Sequence, residues 1–447
     1  MKNFLGYLLC GLFFLLLLWA FYPGLMSPDS LGNLSDGRLG QYSDLQAPVM
    51  SFVWRQLDQI VDGPALMFIM QNVIFWTAVA IFWTATEEKS PRLRICFVVF
   101  ALLPQILSQL TTVWKDVGMG VTLLMASALI YYADRKRNKL AFFLAPLFLF
   151  YADAVRLNAF PAVLPLTIWG ALVGCRLFGI KKTRLLPLAA GLICFAILSG
   201  AVYMVNKYLT GGKTVYPFQQ VLLYDLAAIS KEKDEPLFPD YVLHSDFSFD
   251  EVKANYNLRS VNALIYPHAS SPDEREVLKL TRNADEIKAL WGKWFETVRA
   301  NPLIYVRHRW KIFAQLIGFT TVSVSNLYWD SGFSTSPPEY RREDNIAQTV
   351  LMKYFSTFRK VGFFHGFLWL LLLFFFFVKA AVNKLDGDWE IIFFLALSGI
   401  LFTLAYFPTT PSTEFRYLFW TAVAAAIVTI FGTCSMFDKK IKRALLK

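Results

Sequence analysis

The chain has 447 residues, of which 56% are hydrophobic and 17% charged, with 42 Phe and 13 Trp; a soluble domain is nearer a quarter charged. That composition excludes a soluble globular protein and marks an integral membrane protein. The net charge of +11 does not point to nucleic acid, because the bases cluster in short loops between apolar runs, where membrane topology explains them better.

In chain order, the apolar runs are Phe4–Phe21, Pro64–Ala85, Ile95–Trp114, Val121–Ala133, Leu140–Tyr151, Phe160–Cys175, Leu185–Val205, Val361–Val378, Ile391–Phe407 and Tyr417–Phe437. Most reach, or nearly reach, the roughly 20 residues needed to cross a hydrocarbon core of about 30 Å. An all-α polytopic membrane protein of about ten transmembrane helices is expected. Leu140–Tyr151 and Phe160–Cys175 are short and flank Asp153-Ala-Val-Arg156-Leu-Asn158, so they read as two helices meeting at a polar bend. Phe4–Phe21 reads as a retained anchor, since no small-x-small cleavage site follows it. Cys10, Cys96, Cys175, Cys194 and Cys434 lie in or beside apolar segments, which indicates neither a disulfide framework nor a thiolate metal site.

The loops Glu87–Arg94, Asp134–Lys139 and Arg176–Arg184 and the tail Asp438–Lys447 are basic and alternate with base-poor loops. Basic loops face the cytoplasm. The segments Pro23–Gly63, Trp114–Gly120, Tyr151–Phe160, Tyr208–Lys360 and Pro408–Arg416 are then expected on the other side. Three short outer loops each carry one base, Lys115, Arg156 and Arg416. Any one alone reads equally as a snorkelling base or a local ion pair, Lys115 with Asp116, Arg156 with Asp153, Arg416 with Glu414. Three at one membrane face read as a shared anion site.

Residues 1–207 form an N-terminal membrane module, 208–360 an extracytoplasmic and mostly helical cap, and 361–447 the last membrane helices with the basic tail. Within 208–360, Phe218–Ile229 and Ala284–Arg299 have apolar residues at helical spacing, and Leu303–Phe319 reads as an interfacial amphipathic helix. Asp225, His244, His268 and His308 are expected to be solvated. No histidine or carboxylate cluster has zinc-ligand spacing, Gly211-Gly212-Lys213 is only a turn, and no Gly-x-Ser-x-Gly elbow occurs.

The first outer loop, 23–63, contains Asp29, Asp36, Asp44, Asp58 and Asp62 but no glutamate. Asp36-Gly37 and Asp62-Gly63-Pro64 are turn signals, and Ser27-Pro28-Asp29-Ser30 is also rich in helix-cap formers. An Asp just after the first helix, here Asp29, and an acidic run entering the next helix, here Tyr42-Ser43-Asp44-Leu45-Gln46-Ala47-Pro48 followed by Val49 to Trp54, resemble the GT-C superfamily of membrane glycosyltransferases, among them protein mannosyltransferases and aminoarabinose transferases. Relatives often carry His-Pro-Pro or Lys-Pro-Pro where this chain has Gln46-Ala47-Pro48. Trp114-Lys115-Asp116, Arg156-Leu157-Asn158-Ala159 and Glu414-Phe415-Arg416-Tyr417 resemble segments of uncharacterised bacterial membrane proteins near that superfamily.

The resemblance implies a GT-C-like bundle that moves a sugar from a polyprenyl-phosphate donor to a glycan or lipid acceptor of the cell envelope, such as lipopolysaccharide, on the periplasmic face of a bacterial inner membrane. It implies Asp29, or else Asp44, as the general base. Arg156, Arg416, Lys115 and Asn158 would bind the donor phosphate, and Gln46, Trp54 and Asp116 would position the acceptor or these groups. A divalent ion, Mg2+ or Mn2+, is compatible, because magnesium needs only one or two carboxylates besides phosphate oxygens. Two other readings carry similar layouts. A flippase of lipid-linked sugars would show internal repeats, which are not evident. An O-antigen polymerase or ligase would use bases of the large outer segment, such as Arg299, Arg307, Arg309, Arg341 and Arg342.

Overall fold

The computed structural model describes residues 3–89, 91–180, 185–267, 275–320, 326–383 and 387–445, with the backbone only for 92 and 437–445. His268, the bases Lys181, Lys182 and Arg184, and the last two residues of the tail lie outside the described residues.

The described residues form helices without strands, with two isolated bridges, Leu25 to Thr112 and Ser260 to Ser412. The first half contains α1 (Phe4–Phe21), α2 (Pro28–Leu39), α3 (Pro48–Asp58), α4 (Ala65–Ala85), α5 (Pro91–Ala101), α6 (Pro104–Leu107), α7 (Lys115–Lys136), α8 (Lys139–Val155), α9 (Phe160–Leu177) and α10 (Leu186–Leu209). The second contains α11 (Gln219–Lys233), α12 (Phe249–Asn255), α13 (Asn262–Ile265), α14 (Ala284–Ala300), α15 (Pro302–Leu316), α16 (Ile346–Phe358), α17 (Gly366–Val382), α18 (Asp388–Thr409) and α19 (Phe419–Leu445).

Among the described residues, seven helices are long and apolar enough to cross a membrane, and the count reaches eight if α5 and α6, bent by 51° at Leu102-Leu103, form one broken span. The expected number was about ten. The difference lies in Leu140–Tyr151, which belongs to the 17-residue α8, in Val361–Val378, which becomes the 17-residue α17, and in the bent pair. Pro104 accounts for the bend: it has no N–H to bond a carbonyl of the preceding turn, so α5 cannot continue through it.

The core is organised on α7, in which every residue from Asp116 to Tyr131 is buried. It packs against α4, α8, α9 and α19. Small residues permit that crowding, as in membrane bundles generally: a Cβ at Gly120 would lie 2.4 Å from the ring of Phe419. Thr122 and Ser127 return their hydroxyls to the carbonyls of Gly118 and Leu123, leaving no unsatisfied donor inside the bundle at those positions. Helix α10, by contrast, turns Leu192, Ile193, Ile197 and Tyr203 outward, the surface a lipid-facing helix needs.

At the C-terminal end of α7 the basic loops meet acids on α18 and its neighbours. Arg135 pairs with Asp388 at 2.6 Å and Arg176 with Glu390 at 2.6 Å and Asp134 at 2.8 Å, while Lys89 pairs with Asp388 and Lys136 with Glu87. Asp388 and Glu390 occupy the first turn of α18, where the helix dipole favours negative charge.

Helices α11 to α15 enclose a second core around Leu222, Tyr224, Val242, Leu264, Leu290 and Ile312. Here two expectations are corrected. Asp225 and His308 are buried rather than solvated: Asp225 pairs with Arg309 at 2.7 Å, lies 3.3 Å from His308 and accepts from the Trp294 indole at 2.9 Å. Burial lowers the His308 pKa against the pull of Asp225. On α15 the charged residues divide, and Arg307 is exposed. Arg309, wholly buried, points inward, and Leu303, Val306 and Trp310 are exposed.

Candidate functional site

The site begins where two extended segments join. Leu25 exchanges backbone hydrogen bonds with Thr111 and Val113, both 3.0 Å. The Trp114 indole donates to the Ser27 hydroxyl at 2.7 Å, and the Ser30 hydroxyl to the Val113 carbonyl at 2.6 Å. Ser27 caps α2 in a reciprocal capping box with Ser30, satisfying two of the helix's first amides. Cap duty thus falls to Ser27, and Asp29, one residue inside the helix, is left to face the start of α7.

That start carries Lys115 and Asp116. Asp116 is wholly buried and faces two guanidinium groups, Arg156 at 3.1 Å and Arg416 at 3.8 Å. Arg156 comes from the break between α8 and α9. Pro161 has no N–H for the Leu157 carbonyl, which favours a break here, and Arg156 is extended with φ −147°. Its guanidinium also donates to the Tyr406 hydroxyl at 3.2 Å and lies 4.7 Å from the centre of the Tyr417 ring. Asp153, the partner expected for Arg156, instead accepts from Ser199 at 2.9 Å.

Arg416 stands in the short turn Phe415–Leu418 before α19. It pairs with Asp29 at 2.6 Å and Glu414 at 2.5 Å, and stacks on Trp114 at 5.2 Å. Three carboxylates thus surround it. Lys115 is different: among the described residues no carboxylate lies within 4.0 Å of it, and its ammonium reaches only the Gln46 carbonyl oxygen, at 3.4 Å. Burial alone would raise the Asp29 pKa, but Arg416, Lys115 and Arg156 pull it down to about 2. Asp29 is a held anion.

A cavity of about 510 Å³ opens on these groups. Asp29, Lys115, Arg156, Glu414 and Arg416 with the amide of Asn158 form its polar side, and Leu45, Val155, Leu157 and Phe160 contribute apolar wall. Phe218, Gln220, Asn262 and Tyr266 of the 208–360 segment complete it.

The structure therefore brings together Asp29, Lys115, Asp116, Arg156 and Arg416, with Asn158 and Gln46 on the cavity wall. Asp44 also lines the cavity, but its carboxylate accepts from the Thr214 hydroxyl and from the Val215 amide at 2.7 Å, so it ties the first loop to the later segment. Trp54 is corrected outright. It is wholly buried, donates its indole N–H to the Gly63 carbonyl at 2.9 Å, and does not line the cavity. Asp36 accepts from Ser43, and Asp58 and Asp62 both bind Arg38, structural roles in keeping with turns.

Glu414 and the tyrosines Tyr406, Tyr417 and Tyr266 were not singled out as site residues. Glu414-x-Arg416-Tyr417 did carry a local signal, an acid two residues before a base. Tyr406 sits inside an apolar run and carried none. Among the described residues, no three His, Cys, Asp or Glu side chains converge as a metal site. The chain matches no protein-family model, no curated protein and no solved structure.

Proposed function

We propose that the chain is a membrane glycosyltransferase that moves a sugar from a polyprenyl-phosphate donor to a glycan or lipid acceptor on the extracytoplasmic face of a bacterial inner membrane. The observation that carries this reading is one cavity holding a carboxylate, Asp29, against Arg416, with Lys115 and Arg156 beside it and an apolar wall opposite. The cations suit a phosphate, because guanidinium groups grip two oxygens at once. The apolar wall suits the lipid that carries it.

In the reaction the acceptor oxygen bonds to the anomeric carbon as the bond from that carbon to the donor phosphate oxygen breaks. The acceptor proton goes to Asp29, and the electron pair leaves with the lipid phosphate. Fixed cations in a site largely shielded from water stabilise that growing charge. Asp116 holds Arg156 and Arg416 at the right spacing without touching either substrate.

The test is transfer of label from a polyprenyl-phosphate sugar to envelope acceptors by the purified full chain. Asp29→Asn should lose about 10²-fold or more, the usual scale of a general base, with Asp44→Asn affecting it far less. Full transfer by Asp29→Asn would refute the base assignment, and movement of the donor across liposomes without transfer would favour a flippase. The polymerase or ligase reading loses one of its bases, since Arg309 is spent on Asp225 and on the Thr410 and Val221 carbonyls.

A further inference from the structure

The cavity offers no excess of cations before any substrate arrives: Lys115, Arg156 and Arg416 stand against Asp29, Asp44, Asp116 and Glu414. A phosphate entering the cavity finds only Lys115 without a carboxylate within 4.0 Å among the described residues. Both other cations already face carboxylates, so a phosphate gains the full fork of a guanidinium only by displacing one. The three acids around Arg416 are not equally able to yield. Asp116 has a side chain fully out of contact with solvent and is shared with Arg156, and Glu414 is 15% exposed and two residues away on the same turn. Asp29 is 35% exposed, and its only ion-pair partner among the described residues is Arg416, through one nitrogen at 2.6 Å.

Resting on the glycosyltransferase reading, we propose that Arg416 masks Asp29 in the resting enzyme and that the donor phosphate, anchored first at Lys115, displaces Asp29 from Arg416 and so releases it as the base. A phosphate monoester or diester anion is the ligand class, and the same guanidinium that restrained the base then holds the leaving group. Binding is thereby ordered: without donor, the carboxylate is paired with Arg416 and is a poor acceptor for a hydroxyl proton. With donor, Asp29 loses its partner and recovers basicity beside the anomeric carbon. This arrangement guards against reaction with water, because an acceptor or a water molecule arriving first meets no active base.

The consequence is opposite in sign to that of an ordinary binding residue. If Asp29 competes with phosphate for Arg416, removing its charge tightens phosphate binding; if it held the donor, directly or through a divalent ion, removing its charge weakens binding. Farnesyl phosphate is the probe, titrated by calorimetry into the full chain in nanodiscs, with EDTA present. Wild type should bind it, and Lys115→Ala and Arg416→Ala should each weaken binding. Asp29→Asn should tighten it about tenfold, equal to ~1.4 kcal/mol, while losing transfer. Asp29→Ser serves where the asparagine variant does not fold. Unchanged or weaker binding in the Asp29 variants, with Lys115 and Arg416 still required, overturns the masking and leaves the phosphate site standing. Binding indifferent to both Lys115 and Arg416 overturns the phosphate site itself.

Discussion

Asp29 is the residue whose state depends most on its neighbours. Its carboxyl is held at about 2 against an ordinary value of 3.8, burial being outweighed by Arg416 and then Lys115. A depressed carboxylate contributes stability that is fully present above the unfolded value and is lost as pH falls through the folded one. The window therefore runs from the ordinary carboxylate range down to about 2, and nothing from this group changes between about pH 5 and 8. Thermal unfolding followed from about pH 5 to about pH 2 should show the gap between wild type and Asp29→Asn narrowing with acid. A gap that stays constant would mean Asp29 is not held by Arg416. The position of Asp29 was legible in the sequence because a polar residue just after a membrane helix is conspicuous. Its pairing with Arg416 was not: the two are nearly four hundred residues apart in the chain, and charge alone does not say which acid meets which base. Trp54 shows the reverse failure, since an aromatic next to a candidate motif looked functional and is packed in the core with its indole on the Gly63 carbonyl.

The loop that delivers Arg416 is held at both ends by the 208–360 segment. The Val261 amide donates to the Pro411 carbonyl at 3.0 Å and the Thr413 amide to the Arg259 carbonyl at 2.8 Å, while Arg309 donates to the Thr410 carbonyl at 2.9 Å. Arg309 also donates to the Val221 carbonyl at 3.1 Å, so one guanidinium joins α15, α11 and the loop. Helical spacing foretold α15 well but could not tell Arg309 from Arg307, because a buried ion pair and a solvated one look identical as letters. Replacing Arg309 by Met takes the guanidinium from buried Asp225 and leaves it only the Trp294 indole and His308, which costs about 3–5 kcal/mol. The double variant Arg309→Met/Asp225→Asn should recover much of that loss, a non-additivity readable in a double-mutant cycle of unfolding. Farnesyl phosphate affinity should fall in the single variant even where it folds, as the loop carrying Arg416 loosens. Additive single and double variants would show that Asp225 and Arg309 do not depend on each other.

Across the whole molecule, α7 ties the two polar ends together. Lys115 and Asp116 open it in the site, Arg135 and Lys136 close it among the ion pairs with Asp388 and Glu87, and its 22 residues span about 33 Å at 1.5 Å each, roughly a hydrocarbon core. The site and the basic cluster therefore stand at opposite ends of a membrane-length helix. That separation follows from apolar content and was readable from the sequence, whereas the number of spans was not, because length counts cannot tell a short or bent helix such as α17 or the α5 and α6 pair from a straight crossing. Bases concentrate on the cytoplasmic side, so the Asp29 end should face outward. Lys213 is exposed on that end, next to Thr214 and Val215, which hold Asp44, and Lys139 is exposed at the other, at the start of α8. In a background with the five native cysteines replaced by alanine, Lys213→Cys should react with a membrane-impermeant maleimide applied to intact spheroplasts, and Lys139→Cys only after permeabilisation. The reverse pattern would turn the chain over, putting the cavity on the side where soluble nucleotide sugars are available and removing the reason for a lipid-carried donor. Reaction of both positions from outside would instead break the link between α7 and a full crossing.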